Sequence, residues 1–227
     1  MKDLAARIRA ARLEVTRDAL EAMYRDPYWL DRFGERGRAF ALEDGLHHVD
    51  YLCNALWLDG PETLESYARW LQTVLTRRGM CTWHADENFA RLADAIRARN
   101  LDEGEKASRY LTAAREALRY RGAGAGLQAA GPRLAARAAE GMGPDRLREA
   151  TALASFLADV VPLSSTASLL AHVAWLRAHH ARTGVVDEAL PKMLGRLAAG
   201  VRELSGLSEE ERAFALAALA SAAKAAP

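Results

Sequence analysis

Asp44, His47 and His48 fall within five consecutive residues, and their types are those that hold metal ions or move protons. Asp44 and His48 are four apart, as are Glu43 and His47, while Asp44 and His47 are three apart. On a helix each of these pairs can meet. A carboxylate and an imidazole at such spacing form half of a pattern found in helical bundles. There, each of two helices supplies a Glu-x-x-His pair to a shared metal site. In this chain Asp replaces Glu, and the candidate second half is reversed, His84-x-x-Glu87. The metal-ligand set predicted on this basis is Asp44, His47, His48, His84 and Glu87. The same residues also read as intrahelical ion pairs and hydrogen-bonded core histidines. The lack of a matched second pair favours that plainer reading, because a motif carries weight only in its structural context.

The element that must position these groups is the stretch from Leu42 to Asp59. Leu42, Leu46, Val49, Cys53 and Leu56 recur at spacings of three and four, the apolar stripe of a helix. His47, Tyr51, Asn54 and Leu58 follow one another on the reverse side, and Trp57 adds bulk on a flank. With so little plainly polar surface, the helix is expected to be central in a bundle. Its polar members then need partners, since an unsatisfied buried group costs about 1–3 kcal/mol.

Aromatic residues concentrate in the first half: Trp29, Phe33, Tyr51, Trp57, Tyr67, Trp70 and Trp83. Rings with a few polar groups are what ligand clefts use. The ligand-binding set predicted is His47, His48, Tyr51, Trp57, Trp70 and His84, with Arg36 and Arg38. The ligand class is apolar or planar. A haem or another tetrapyrrole is one concrete candidate, with His47, His48 or His84 as axial ligand. Arg36 and Arg38 enter because Arg32, Gly34, Gly37 and their neighbours predict a tight turn where arginines and helix amides could meet a phosphate or carboxylate. The turn lacks the Gly-Lys-Ser/Thr ending of a phosphate loop and follows no strand. The plainer reading, favoured here, has its arginines pair with Asp31, Glu35 or Glu43.

The remaining elements are helical too. Residues 2–25 predict one helix with Leu4, Ile8, Ala11, Val15, Ala19 and Ala22 inward. Asp26-Pro27 starts a short aromatic helix, Asp as N-cap and Pro in the first turn. After Asp59-Gly60-Pro61 a helix buries Leu64, Tyr67, Trp70, Leu71, Val74 and Leu75, and stops at Gly79. Thr82 is read as the cap of the next, which buries Phe89, Leu92, Ala93 and Ile96. Residues 101–120 form another. The RGAGAG run from Arg121 to Gly126 is the best candidate boundary. Beyond it, an Ala-rich segment interrupted by Gly131-Pro132 precedes helices opened by Pro144, by Ser164 or Ser165, by Asp187 and by Ser208. His48-Val49-Asp50-Tyr51-Leu52 echoes His172-Val173-Ala174-Trp175-Leu176, which suggests a duplication of helical subdomains.

Half of the 227 residues are hydrophobic and the net charge is +1, so neither a nucleic-acid-binding excess of base nor an acidic tail is present. Arg far outnumbers Lys and Ala is abundant, as in GC-rich bacterial sequences. Two cysteines without short spacing predict free thiols in a reducing cytoplasm. The charged N-terminus predicts no secretion signal, and no run is apolar enough to span a bilayer.

The fold expected is an all-α bundle of about ten helices. Residues 1–121 form one helical bundle and residues 127–227 an Ala-rich second, as two subdomains or as one packed body. Three functions compete. The first is a non-enzymatic regulatory or sensory protein that binds a planar or apolar ligand, or a partner helix. The second is a metal-dependent oxidoreductase of ferritin-like or haem-oxygenase-like architecture. The third is a structural protein that self-associates through the Ala-rich half. Nucleophilic catalysis has no local motif behind it.

Overall fold

The structure is a computed structural model, and it describes residues 2–185 and 188–224. Among the described residues the chain forms eleven helices and no strand. The all-α class expected from the apolar periodicity is the one observed. No helix among the described residues is long and apolar enough to cross a membrane.

The chain divides into two compact units: Met1–Thr73 with His84–Leu118, and Val74–Trp83 with Arg119–Pro227. The division falls at Leu118/Arg119 rather than inside the glycine run, and the 74–83 segment groups with the second unit.

The first unit begins with α1 (Lys2–Ala10) and α2 (Arg12–Tyr24). The single helix expected over residues 2–25 is broken at Ala11, whose backbone leaves the helical region at φ −95°, ψ 16°. Both pieces pack on α3 (Pro27–Leu58). Asp26 caps α3 as the Asp-Pro pair predicts, its carboxylate accepting from the Tyr28 N–H at 2.9 Å. Gly34 then departs from helical geometry at φ 65°, a conformation open to glycine, and the helix resumes. The expected tight turn is therefore a kink confined to one residue. Further on, Gly45 lets α2 come close: a Cβ there would lie 2.6 Å from Cγ2 of Thr16.

The expectation that the Leu42–Asp59 stretch lacks a solvent face is overturned. His47, Tyr51, Asn54, Trp57 and Leu58 are exposed, and only Gly45 and the stripe through His48, Val49, Leu52, Cys53, Ala55 and Leu56 are buried. Residue type misled here, because an aromatic or aliphatic side chain on a surface helix is common. The same correction applies on α4 (Glu62–Arg77), where Trp70, expected inward, is 58% exposed while Leu64, Tyr67, Ala68 and Leu71 are buried. α5 (Thr82–Ala98) buries Phe89, Leu92 and Ile96. α6 (Lys106–Ala117) starts later than expected, after Asp102 accepts from the Lys106 and Ser108 N–H groups at 2.8 and 2.9 Å.

The second unit contains α7 (Ala125–Ala138), α8 (Pro144–Leu163), α9 (Ala167–Thr183), α10 (Ala189–Glu203) and α11 (Glu209–Lys224). Pro132 sits inside α7 without dividing it. The Asp187 cap lies outside the described residues. Ser208 and Glu211 form a reciprocal cap on α11: the Ser208 Oγ accepts from Glu211 N–H at 3.1 Å, and the Glu211 carboxylate accepts from Ser208 N–H at 2.9 Å. The small residues of this half are engaged within it, with Ala135, Ala138, Ala150, Ala154, Ala215 and Ala218 all in its core.

Arginines close several helix ends. Arg196 donates to the Ala138 and Glu140 carbonyls after α7, Arg177 to those of Ala222 and Ala223 on α11, and Arg212 to Val201, Arg202 and Leu204 at the end of α10. A cation there satisfies orphan carbonyls and complements the negative end of the helix dipole. The arginine-rich composition thus has a structural use.

Candidate functional site

Two buried histidines organise the first unit. His48 lies on the inner stripe of α3, and its Nδ1 shares a 2.7 Å hydrogen bond with the Tyr67 hydroxyl from α4. Its ring also packs against Phe89 of α5, centroids 5.3 Å apart. Burial, with a smaller contribution from His47, lowers His48 to about 3, so the ring is neutral at ordinary pH. Burial pushes the Tyr67 hydroxyl well above its usual range, and the charge of Asp44 adds to this.

Tyr67 in turn supports a stack that reaches the surface. Tyr51 lies on it at 3.8 Å between centroids and 13° between planes, and Trp70 at 5.8 Å and 30°. Tyr67 is buried, whereas Tyr51 and Trp70 are 39% and 58% exposed. The result is a ladder of three rings from two helices. Its middle ring is anchored from below by His48, and its outer members are open to water. Helical spacing explains the placement: Tyr67 and Trp70 are three apart on α4, and Tyr51 occupies the solvent face of α3 one turn after the exposed His47.

The second histidine, His84, is 2% exposed. Its Nε2 shares a 2.9 Å hydrogen bond with the Tyr28 hydroxyl, and the rings of Trp29 and Phe33 meet it edge-on at 5.2 and 5.4 Å. Burial, assisted by the Arg32 charge, lowers it to about 3. His84 therefore belongs to an aromatic box at the start of α3, and His48 to the ladder.

The predicted residues thus separate. Among the described residues no group of three His, Cys, Asp or Glu side chains is placed to hold a metal ion. Asp44, His47, His48, His84 and Glu87 are not brought together as a ligand set: Glu87 pairs with Arg91 at 2.6 Å, His47 faces outward, and the two buried histidines bind different tyrosines. Arg36 and Arg38 do not converge on an anion site either. They lie over the rings of Phe40 and Tyr24, at 5.5 and 5.4 Å. Trp57 is exposed and covered by Lys2 at 4.8 Å. Of the predicted ligand-binding residues, Tyr51, Trp70, His48 and His47 are the ones that share a neighbourhood. Sequence reading missed Tyr67 as their link. Its signals are its inward position on α4 and its spacing of three residues from Trp70.

The second unit holds two buried polar clusters that sequence reasoning passed over. Asp159 of α8 accepts from the Thr82 N–H and hydroxyl at 2.9 and 2.7 Å and from the Tyr120 hydroxyl at 2.8 Å. Ser155 accepts from Trp83 N–H at 3.0 Å. The first amides of α5 are thus capped by side chains of α8, and Thr82 is the capped residue instead of the cap. Burial raises Asp159 to about 6 despite these donors. In the other cluster Glu149 accepts from His180 Nε2 at 3.0 Å and from Arg146. Burial works to raise Glu149, but the bonds from His180 and Arg146 outweigh it and leave the carboxyl below its usual range. His172, the counterpart of His48 in the sequence echo, is fully buried and stacks on Phe156 at 4.4 Å. Val49 and Val173, and Leu52 and Leu176, are likewise fully buried, so the two echoes bury the same three positions.

No protein-family model, no curated protein and no solved structure matches this chain.

Proposed function

We propose that the protein is a non-enzymatic binding protein, regulatory or sensory in type, that holds a planar ligand against the Tyr51–Tyr67–Trp70 ladder. The observation that carries the reading is the exposure of both outer rings of a stack whose middle ring is fixed by a buried hydrogen bond. Rings held in place lose little freedom when a ligand lands on them, which favours binding. Each aromatic pair contributes about 0.5–1.5 kcal/mol beyond area burial. A bicyclic ligand that stacks on both outer rings gains about 1–3 kcal/mol from the ring pairs in addition to the area it buries, so binding is expected to be weak. Saturation-transfer NMR with a set of planar bicyclic compounds tests this. Signals should appear with the native chain and vanish in Trp70→Ala and Tyr51→Ala. Signals that persist in both variants would sink the proposal.

A tetrapyrrole remains a second reading, favoured by one observation. His47 is exposed one turn before Tyr51, whereas His48 and His84 are enclosed. Adding haem should give a Soret band that His47→Ala abolishes. Absence of a band in the native chain removes this reading.

A further inference from the structure

We infer that the ligand of the ladder is a planar organic cation. The inference rests on the ladder being the binding surface and adds the charge of what it takes.

Several other rings of the first unit lie under cations of the chain itself. Trp57 carries Lys2, Phe33 carries Arg32, Phe40 carries Arg36, Tyr24 carries Arg38 and Tyr110 carries Lys106. On these five rings a cation from the chain lies over a face rich in π electron density. Tyr51, Tyr67 and Trp70 have none among the described residues, although two of them are more than a third exposed. The guanidinium groups on neighbouring turns are committed elsewhere. Arg9 donates to Asn54 at 2.9 Å, Arg12 pairs with Asp50 at 2.6 Å, and Arg69 pairs with Glu65 at 3.7 Å. The charge of the exposed Asp44 carboxylate also acts on the ladder, where it raises the Tyr67 hydroxyl. Electron-rich exposed faces with a carboxylate acting on them complement a ligand that is both flat and positive. A neutral ligand would gain the stacking alone. An anion would meet the wrong sign.

The test compares N-methylquinolinium with quinoline on the full chain at a pH of about 8, where quinoline is uncharged. Binding is followed by NMR of the probe and by quenching of tryptophan fluorescence. The cation should bind about ten-fold more tightly than its neutral counterpart. Its advantage should shrink in high salt, because the site is open to solvent. Asp44→Asn should weaken the cation about two-fold and leave quinoline unchanged. Trp70→Ala and Tyr51→Ala, which alter exposed positions, should keep the native circular dichroism and lose both probes. If the two probes bind equally and both depend on Trp70, the charge inference falls while the ladder stands. If neither probe binds, or both bind without Trp70 and Tyr51, both fall.

Discussion

The Tyr67 hydroxyl and Nδ1 of His48 lie 2.7 Å apart, with both residues buried. One hydrogen bond thus ties α4 to the inner face of α3 beneath an exposed aromatic stack. Tyr67→Phe keeps every ring of that stack and strands the imidazole nitrogen. It should cost about 1–3 kcal/mol, the penalty for an unsatisfied buried group. Urea unfolding measures this. A loss below about 0.5 kcal/mol would show that the bond contributes nothing beyond packing.

Acid stability should carry two opposing contributions. His48 and His84 fall from an ordinary 6.5 to about 3 on folding. Between those values the unfolded chain takes up protons that the folded chain refuses. Stability is therefore full above 6.5 and falls as pH drops toward 3, at about 1.4 kcal/mol per pH unit for each group. Asp159 behaves oppositely, rising from 3.8 to about 6. Between those values the folded chain holds a proton the unfolded chain has lost, so this contribution grows as pH drops from 6 toward 3.8 and cancels one of the two histidines there. Asp159→Asn removes the compensation. Its stability should fall with pH about twice as steeply as that of the native chain between about 6 and 4.5, above the ordinary value of Glu149, whose lowered carboxyl adds its own loss at more acid pH. Equal slopes in thermal melts across that range would count against the raised Asp159.

Gly45→Ala should destabilise despite the helix-favouring change. The new methyl would sit 2.6 Å from Cγ2 of the buried, β-branched Thr16, whose hydroxyl is bonded to the Arg12 carbonyl at 2.9 Å. Helix propensity favours Ala over Gly by about 1 kcal/mol, and overpacking costs about 1–3 kcal/mol. Thr16→Ser deletes that methyl and keeps the hydroxyl. The double variant should therefore recover most of the loss, read as a coupling energy in a double-mutant cycle.

Arg212→Ala should cost about 1–2 kcal/mol, because three carbonyls at the end of α10 lose their donor together. Arg212→Lys should recover only part, since one ammonium cannot span carbonyls that the planar guanidinium bridges. Full recovery by Lys in chemical denaturation would reduce the effect to charge alone.

Much of the fold is legible in the sequence. The spacing of Val49, Cys53 and Leu56 gives the buried stripe of α3, and Asp26-Pro27 and Ser208 mark helix starts, because helix geometry and capping act over a few residues. What was not legible depended on exposure. For Tyr51 and Trp70 the sequence offers residue type alone, which does not say whether a ring on a helix flank meets a neighbour or water.

By itself the sequence determined the all-helical class, the inward stripes and the local caps, since each follows from side chains three or four residues apart on one helix. Only the tertiary structure decided the rest. It paired His48 with Tyr67 across 19 positions and His84 with Tyr28 across 56, and capped Thr82 with Asp159 across 77. No local rule specifies such pairs. They arise when packed helices bring together polar groups that burial has stripped of water, and each group then takes the partner within reach.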